Sequence, residues 1–143
     1  MIDRSQTLAK KYIKNWYNQG AIKSSSAASL AEKYQAYSTL DNFVLFAIKR
    51  YNMGYEFFPS DYQNDLTFVV AAIKQSKDSI GLLTEIANLN RAMYVRILEN
   101  LDLKDLIIIL GEDINAKPSK TKLVAKLRKE VNNKIIEAKT KNL

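Results

Sequence analysis

The sequence predicts an all-α protein, a compact helical bundle of six to seven helices, on three observations. Apolar residues fill 47% of the 143 positions and recur at spacings of three and four rather than in alternation. Four glycines and two prolines are too few to punctuate many strands. The third observation is internal repetition. Residues 43–49, FVLFAIK, and 68–74, FVVAAIK, agree at five of seven positions across an offset of 25 residues.

Each element follows in chain order. Leu8, Tyr12, Ile13 and Trp16 share one face of a helix over residues 5–18, with Gly20 as its stop. Ser24, Ser25 and Ser26 offer an N-cap for a second helix through Ala28, Leu30, Ala31, Tyr34 and Tyr37. Thr39 or Asp41 caps a third helix that contains the first repeat copy. Gly54, Pro59, Ser60 and Asp61 supply turn chemistry before Asp65, which is suited to cap the second copy. The two repeat units span residues 41–53 and 65–77. Ser79 is placed to cap a longer helix, residues 80–100, whose stripe holds Leu83, Ile86, Ala87, Asn90, Tyr94, Ile97 and Leu98, with Gly81 in its first turn at little cost.

Next comes a shorter helix with Asp102 at its N-cap, Asp105 in its first turn, Gly111 as its stop, and Leu103, Leu106, Ile107 and Leu110 on its apolar face. Residues 115–118 suit a turn, and Ser119 is placed to cap a final helix that buries Leu123, Val124, Leu127, Val131 and Ile135. Lys122, Lys126 and Lys129 fall on the opposite side. Beyond Ala138 the chain is expected to fray.

Charge divides the sequence into a neutral body, residues 1–100, and a basic hairpin and tail, residues 101–143. From Asn115 onward there are nine basic side chains against Glu130 and Glu137, while the preceding 114 residues balance. The entire net charge of +7 therefore lies in the last 29 residues. Such segregation describes partners better than the overall isoelectric point does. No glycine- or serine-rich linker separates the two parts, so the hairpin is expected to dock on the body.

The composition removes whole classes of chemistry. With no histidine and no cysteine there is no imidazole base, thiolate, disulfide or zinc finger. The carboxylate pairs Asp61 with Asp65, Asp102 with Asp105, and Glu112 with Asp113 stand at helix ends or turns, where capping accounts for them. Gly20, Gly54, Gly81 and Gly111 are isolated and build no phosphate loop. A non-enzyme without catalytic residues, metal or cofactor is expected. Tyr51, Tyr55, Phe57, Phe58 and Tyr62, with Trp16 and Tyr12, sit in a nearly neutral context, which favours core packing over base stacking. No segment reaches the ~20 apolar residues of a membrane span, and no signal peptide opens the chain, so a soluble protein of the cytoplasm, nucleoid, nucleus or virion interior is expected.

Two stretches resemble known families. Residues 101–131 resemble the SAP motif and its helix-extended loop-helix and LEM-like relatives. Leu101, Leu103, Leu106 and Leu110 fill the first-helix positions, Ile114 enters the loop, Lys120 follows six residues later, and Leu123, Lys126 and Leu127 complete the pattern. The chain departs from it by one residue fewer between Leu110 and Ile114, and by Pro118 where glycine is common. The resemblance implies DNA binding through the loop and the start of the second helix, by Lys117, Ser119, Lys120, Lys122 and Lys126; LEM-like members bind proteins instead. Residues 41–75 resemble an uncharacterised tandem helical repeat in which an aspartate precedes the helix, which implies helical architecture and no particular activity.

Two functions are therefore expected. The first is nucleic-acid binding, duplex DNA favoured and sequence specificity weak, through Lys117, Ser119, Lys120, Lys122, Lys126 and Lys129. The second is a small protein-interaction module, such as a viral or mobile-element inhibitor or a virion component, whose basic helix docks on an acidic protein surface.

Overall fold

Threonine, aspartate and asparagine side chains start five of the helices, and the intervening apolar stripes set what each helix touches. The computed structural model describes residues 4–34, 37 and 39–141. These residues hold no strand and nine α-helices, α1 Arg4–Asn18, α2 Ser24–Lys33, α3 Leu40–Arg50, α4 Ser60–Gln63, α5 Leu66–Gln75, α6 Ser79–Leu89, α7 Arg91–Asn100, α8 Leu103–Leu110 and α9 Lys120–Lys141. The all-α class is as expected, but the count exceeds six to seven. One added helix is the single turn α4, in the link between the repeat copies. The other arises because the long helix expected over residues 80–100 is broken at Asn90. There the backbone leaves the helical region (φ −149°), and the Asn90 side chain accepts the Met93 N–H at 3.2 Å to start α7 afresh. Asn90, expected on the apolar stripe, is the punctuation between two helices.

The chain forms two compact units, Met1–Gln63 and Asn64–Leu143. This boundary falls between the two repeat copies, whereas the division at residue 100 follows charge.

In the first unit α1 packs against α2 and α3. Ala9, Tyr12, Ile13 and Trp16 of α1 are buried with Phe43, Val44, Ala47 and Ile48 of α3. Leu8, expected on the buried face, is only half-buried, and Ala9 takes its place. Two phenols tie the unit's helices. Tyr12 donates to Asp61 at 2.9 Å and Tyr62 donates to Asp41 at 2.7 Å, their rings meeting edge to face with centroids 6.1 Å apart. Burial, with the carboxylate beside each, pushes the Tyr12 phenol up to about 12 and Tyr62 higher still. The Trp16 indole N–H reaches the Phe57 carbonyl at 2.8 Å. The serines at 24–26 lie inside the first turn of α2, whose cap position is Lys23 without a side-chain bond. The expected extension of that helix to Tyr37 crosses residues 35 and 36, outside the described residues.

In the second unit α5 packs against α6, α7 and α8, and α6 packs against α7, α8 and α9. Asp65 caps α5 through the Phe68 N–H at 3.2 Å, and α5 buries Phe68, Val69, Ala72 and Ile73. Asp78, rather than Ser79, caps α6 by accepting the Gly81 N–H at 2.9 Å. A Cβ at residue 81 would collide with that carboxylate, so a larger residue there would make the capping side chain of Asp78 shift. Among the described residues, no helix is long and apolar enough to cross a membrane.

Candidate nucleic-acid interface

The basic hairpin is built on a capping box. Asp102 accepts the Asp105 N–H at 2.8 Å, and Asp105 accepts the Asp102 N–H at 3.3 Å. Lys74 of α5 reaches Asp105 at 3.0 Å. Burial alone would raise this carboxyl, but the bonds from Lys74 and the Asp102 amide, with the lysine's charge, outweigh it and hold Asp105 below the usual range. The second repeat helix and the start of α8 are thus pinned together.

The buried face of α8 differs from the expected one. Leu106 and Ile109 are buried, Ile107 and Leu110 half-buried, and Leu103 and Ile108 exposed. Because α5, α6 and α9 all pack on α8, its covered surface is wider than a single stripe, and the first turn is left outside it. Gly111 ends the helix at φ 65°, in the left-handed region glycine enters without penalty.

The loop then makes a single turn over Ile114–Ala116, capped by Asp113 through the Asn115 N–H at 2.9 Å. Ile114 is 67% exposed, so it does not anchor the loop in the core. Lys117 follows in the left-handed conformation at φ 50°. The Ser119 hydroxyl accepts the Lys122 N–H at 3.3 Å and its carbonyl accepts the Leu123 N–H at 3.0 Å, which starts α9.

Within α9 the buried residues are Leu123, Leu127 and Val131, one per turn; Val124 and Ile135 are only half-buried. After Val131 none is buried, yet the helix continues to Lys141 rather than fraying at Ala138, and Ile136 is 59% exposed. Its last ten residues, about 15 Å at the ordinary rise, run on without a core beneath them.

All six residues expected at the site, Lys117, Ser119, Lys120, Lys122, Lys126 and Lys129, are exposed. They do not form one equivalent set. Lys126 is paired with Glu112 across the loop, and that hydrogen bond and charge hold its ammonium above the ordinary lysine value. Among the described residues, the only other ion pair is Lys74–Asp105, so Lys117, Lys120, Lys122 and Lys129 carry no acidic partner there. Sequence reading missed Glu112 as a partner of the site, because 14 residues separate it from Lys126 and only closure of the hairpin brings them together. The expected site also left out Arg128, the one arginine of the segment; it is exposed on α9, and its charge, with that of Arg91, opposes the upward push of burial on the Tyr94 phenol.

Other features offer less chemistry. The carboxylate pairs are occupied as caps or acceptors: Asp61 by Tyr12, Asp65 by α5, Asp102 and Asp105 by each other, Asp113 by the loop and Glu112 by Lys126. No group of three metal-ligating side chains occurs among the described residues. Tyr12, Trp16, Tyr55, Phe58 and Tyr62 are buried and present no stacking platform. A cleft of about 280 Å³ beside Tyr12, Asn15, Gln19, Glu56 and Gln63 lies just under the usual small-molecule range of roughly 300–1,000 Å³.

Residues 41–86 match the family model described as a domain of unknown function (DUF4116). That stretch holds both repeat copies and excludes the basic hairpin. No curated protein and no solved structure matches the chain.

Proposed function

We propose that the protein binds nucleic acid, duplex DNA in preference, through the loop and basic face of the α8–α9 hairpin. The observation that carries this reading is the set of exposed lysines, Lys117, Lys120, Lys122 and Lys129, without acidic partners among the described residues, in a chain whose other parts are neutral. The resemblance to the SAP motif points the same way. In mechanism, the ammonium groups neutralise phosphates and release counterions, while the amides at the start of α9 offer donors to a phosphate oxygen. Lysines attract without reading bases, so they contribute affinity and little specificity.

The test is a charge reversal that spares the core. Lys120→Glu combined with Lys122→Glu keeps the helical circular dichroism of the parent and loses duplex binding in a fluorescence anisotropy titration. A variant that binds as well as the parent would place the interface elsewhere.

A second reading, a protein-interaction module inside a cell or virion, draws on a different observation. Ile108, Ile114 and Ile136 are 49%, 67% and 59% exposed, and phosphate contact gives them no role. On that reading the basic helix meets an acidic protein surface with these isoleucines as its apolar anchors. Ile114→Asp with Ile136→Asp would abolish co-purification of such a partner and leave DNA affinity nearly unchanged.

A further inference from the structure

The charges of α9 are sorted around its circumference. At about 100° per residue, Glu130 and Glu137 lie seven positions apart on one flank. Lys126 stands on that same flank, with Glu112 against it. Turned away from the acids, Thr121, Ala125, Arg128 and Asn132 succeed one another at i, i+4, i+7 and i+11 within about 60° of a common line. All four are exposed. Lys122 with Lys129 border this face on one side, while Lys120, the first residue of the helix, stands toward the line of the buried Leu127 and Val131. A shallow trough follows the face and takes in Lys120, Thr121, Ala125, Arg128, Lys129 and Asn132 among its lining.

We propose that this acid-free face of α9 lies in the major groove of a DNA duplex, with Arg128 and Asn132 on base edges and Lys122 and Lys129 on the phosphates alongside. The inference rests on the nucleic-acid reading above and adds to it a sequence preference at a few base pairs. The dimensions agree. A major groove about 12 Å wide admits an α-helix, and the 22 residues of α9 span about 33 Å, close to one turn of B-DNA. Thr121 and Ala125 are small enough to let the helix axis approach the groove floor, and their methyl groups suit contact with a thymine methyl.

One turn further along, Arg128 has the fork that pairs with the O6 and N7 of guanine, and Asn132 the amide that pairs with the N6 and N7 of adenine. Charge complementarity selects the occupant, since a polyanion meets no carboxylate on this face and would meet Glu112, Glu130 and Glu137 on the other. Lys126, part of the site expected from sequence, therefore falls outside the contact.

Selection from a duplex pool with a randomised core, using the full chain at physiological salt, tests this directly. The parent enriches a short motif. Arg128→Ala and Asn132→Ala each flatten the preference at one position by roughly tenfold or more while still binding random duplex. Lys129→Ala weakens all sequences alike and lowers the salt slope by about 1, whereas Lys126→Ala changes neither the motif nor the slope. Duplex binding without an enriched motif, or a motif unchanged in both the Arg128 and Asn132 variants, overturns the inference and leaves the nucleic-acid reading standing. Failure to bind any duplex at low salt overturns both.

Discussion

The two repeat helices α3 and α5 bury the same four residue types at the same offsets, Phe43, Val44, Ala47 and Ile48 in one and Phe68, Val69, Ala72 and Ile73 in the other. Their polar residues have diverged. Thr39 caps α3 and Asp65 caps α5, and the two sites stand 26 residues apart although the apolar stripe repeats at 25. Asp41, spared from capping, accepts the Tyr62 hydroxyl instead. The lysine closing each copy is exposed at Lys49 but tied to Asp105 at Lys74. A repeat thus preserves what is buried and leaves its polar positions to be recruited by whatever packs nearby.

The largest test of this equivalence is in the apolar stripe. Phe43→Ala and Phe68→Ala should each cost about 3–5 kcal/mol in chemical denaturation, since both rings are buried. A cost below about 1 kcal/mol for either would mean the copies are not packed alike.

The recruited polar contacts come next. Tyr62→Phe removes the bond to Asp41 and should cost about 1.5–3 kcal/mol. Because burial and the neighbouring carboxylates raise the Tyr12 and Tyr62 phenols, their contribution is full below pH ~10 and declines as pH rises through the folded values, about 12 for Tyr12. Absorbance of phenolate at 295 nm should therefore show three of the eight tyrosines titrating late, Tyr12 and Tyr62 with Tyr94, which burial also raises. Early titration of all eight would contradict the buried pairs.

Capping effects are smaller and should match between copies. Thr39→Ala and Asp65→Ala are each expected to lower stability by about 1 kcal/mol. The smallest effect belongs to Lys74→Met, under about 1 kcal/mol because the lysine is partly solvated. Asp105 is held low when folded, so the contribution of the pair is present above the ordinary carboxylate range and fades as pH falls through the folded value. The stability gap between parent and variant should accordingly close in acid; a gap independent of pH would deny the pairing.

How much of this was legible in the sequence depends on the range of the interaction. Asp102, Gly111, Ser119 and the Leu123–Leu127–Val131 stripe act within a turn or two of themselves, and local spacing was enough to place them. Asn90 was misassigned because its position in the apolar period outweighed its capping chemistry. Ser79 lost the cap to Asp78 by one residue, a margin below what periodicity resolves. Leu103 and Ile109 exchanged places because three neighbours cover α8, and a single-stripe reading assumes one. At the candidate site the lysines and their exposure were readable, since a basic run on the polar side of a helix faces solvent. The pairing of Lys126 with Glu112 was not, because it exists only once the loop has closed, and it is what separates the two flanks of α9.

The most direct measurement is the salt dependence of affinity for a labelled random duplex and its single strand, followed by anisotropy from low to physiological salt. The account predicts micromolar binding to duplex with d log K/d log[salt] of about −3, as three phosphate contacts require, and weaker binding to the single strand. Absence of duplex binding at low salt, or an affinity indifferent to salt, would contradict the claim that the lysines of α9 meet phosphates.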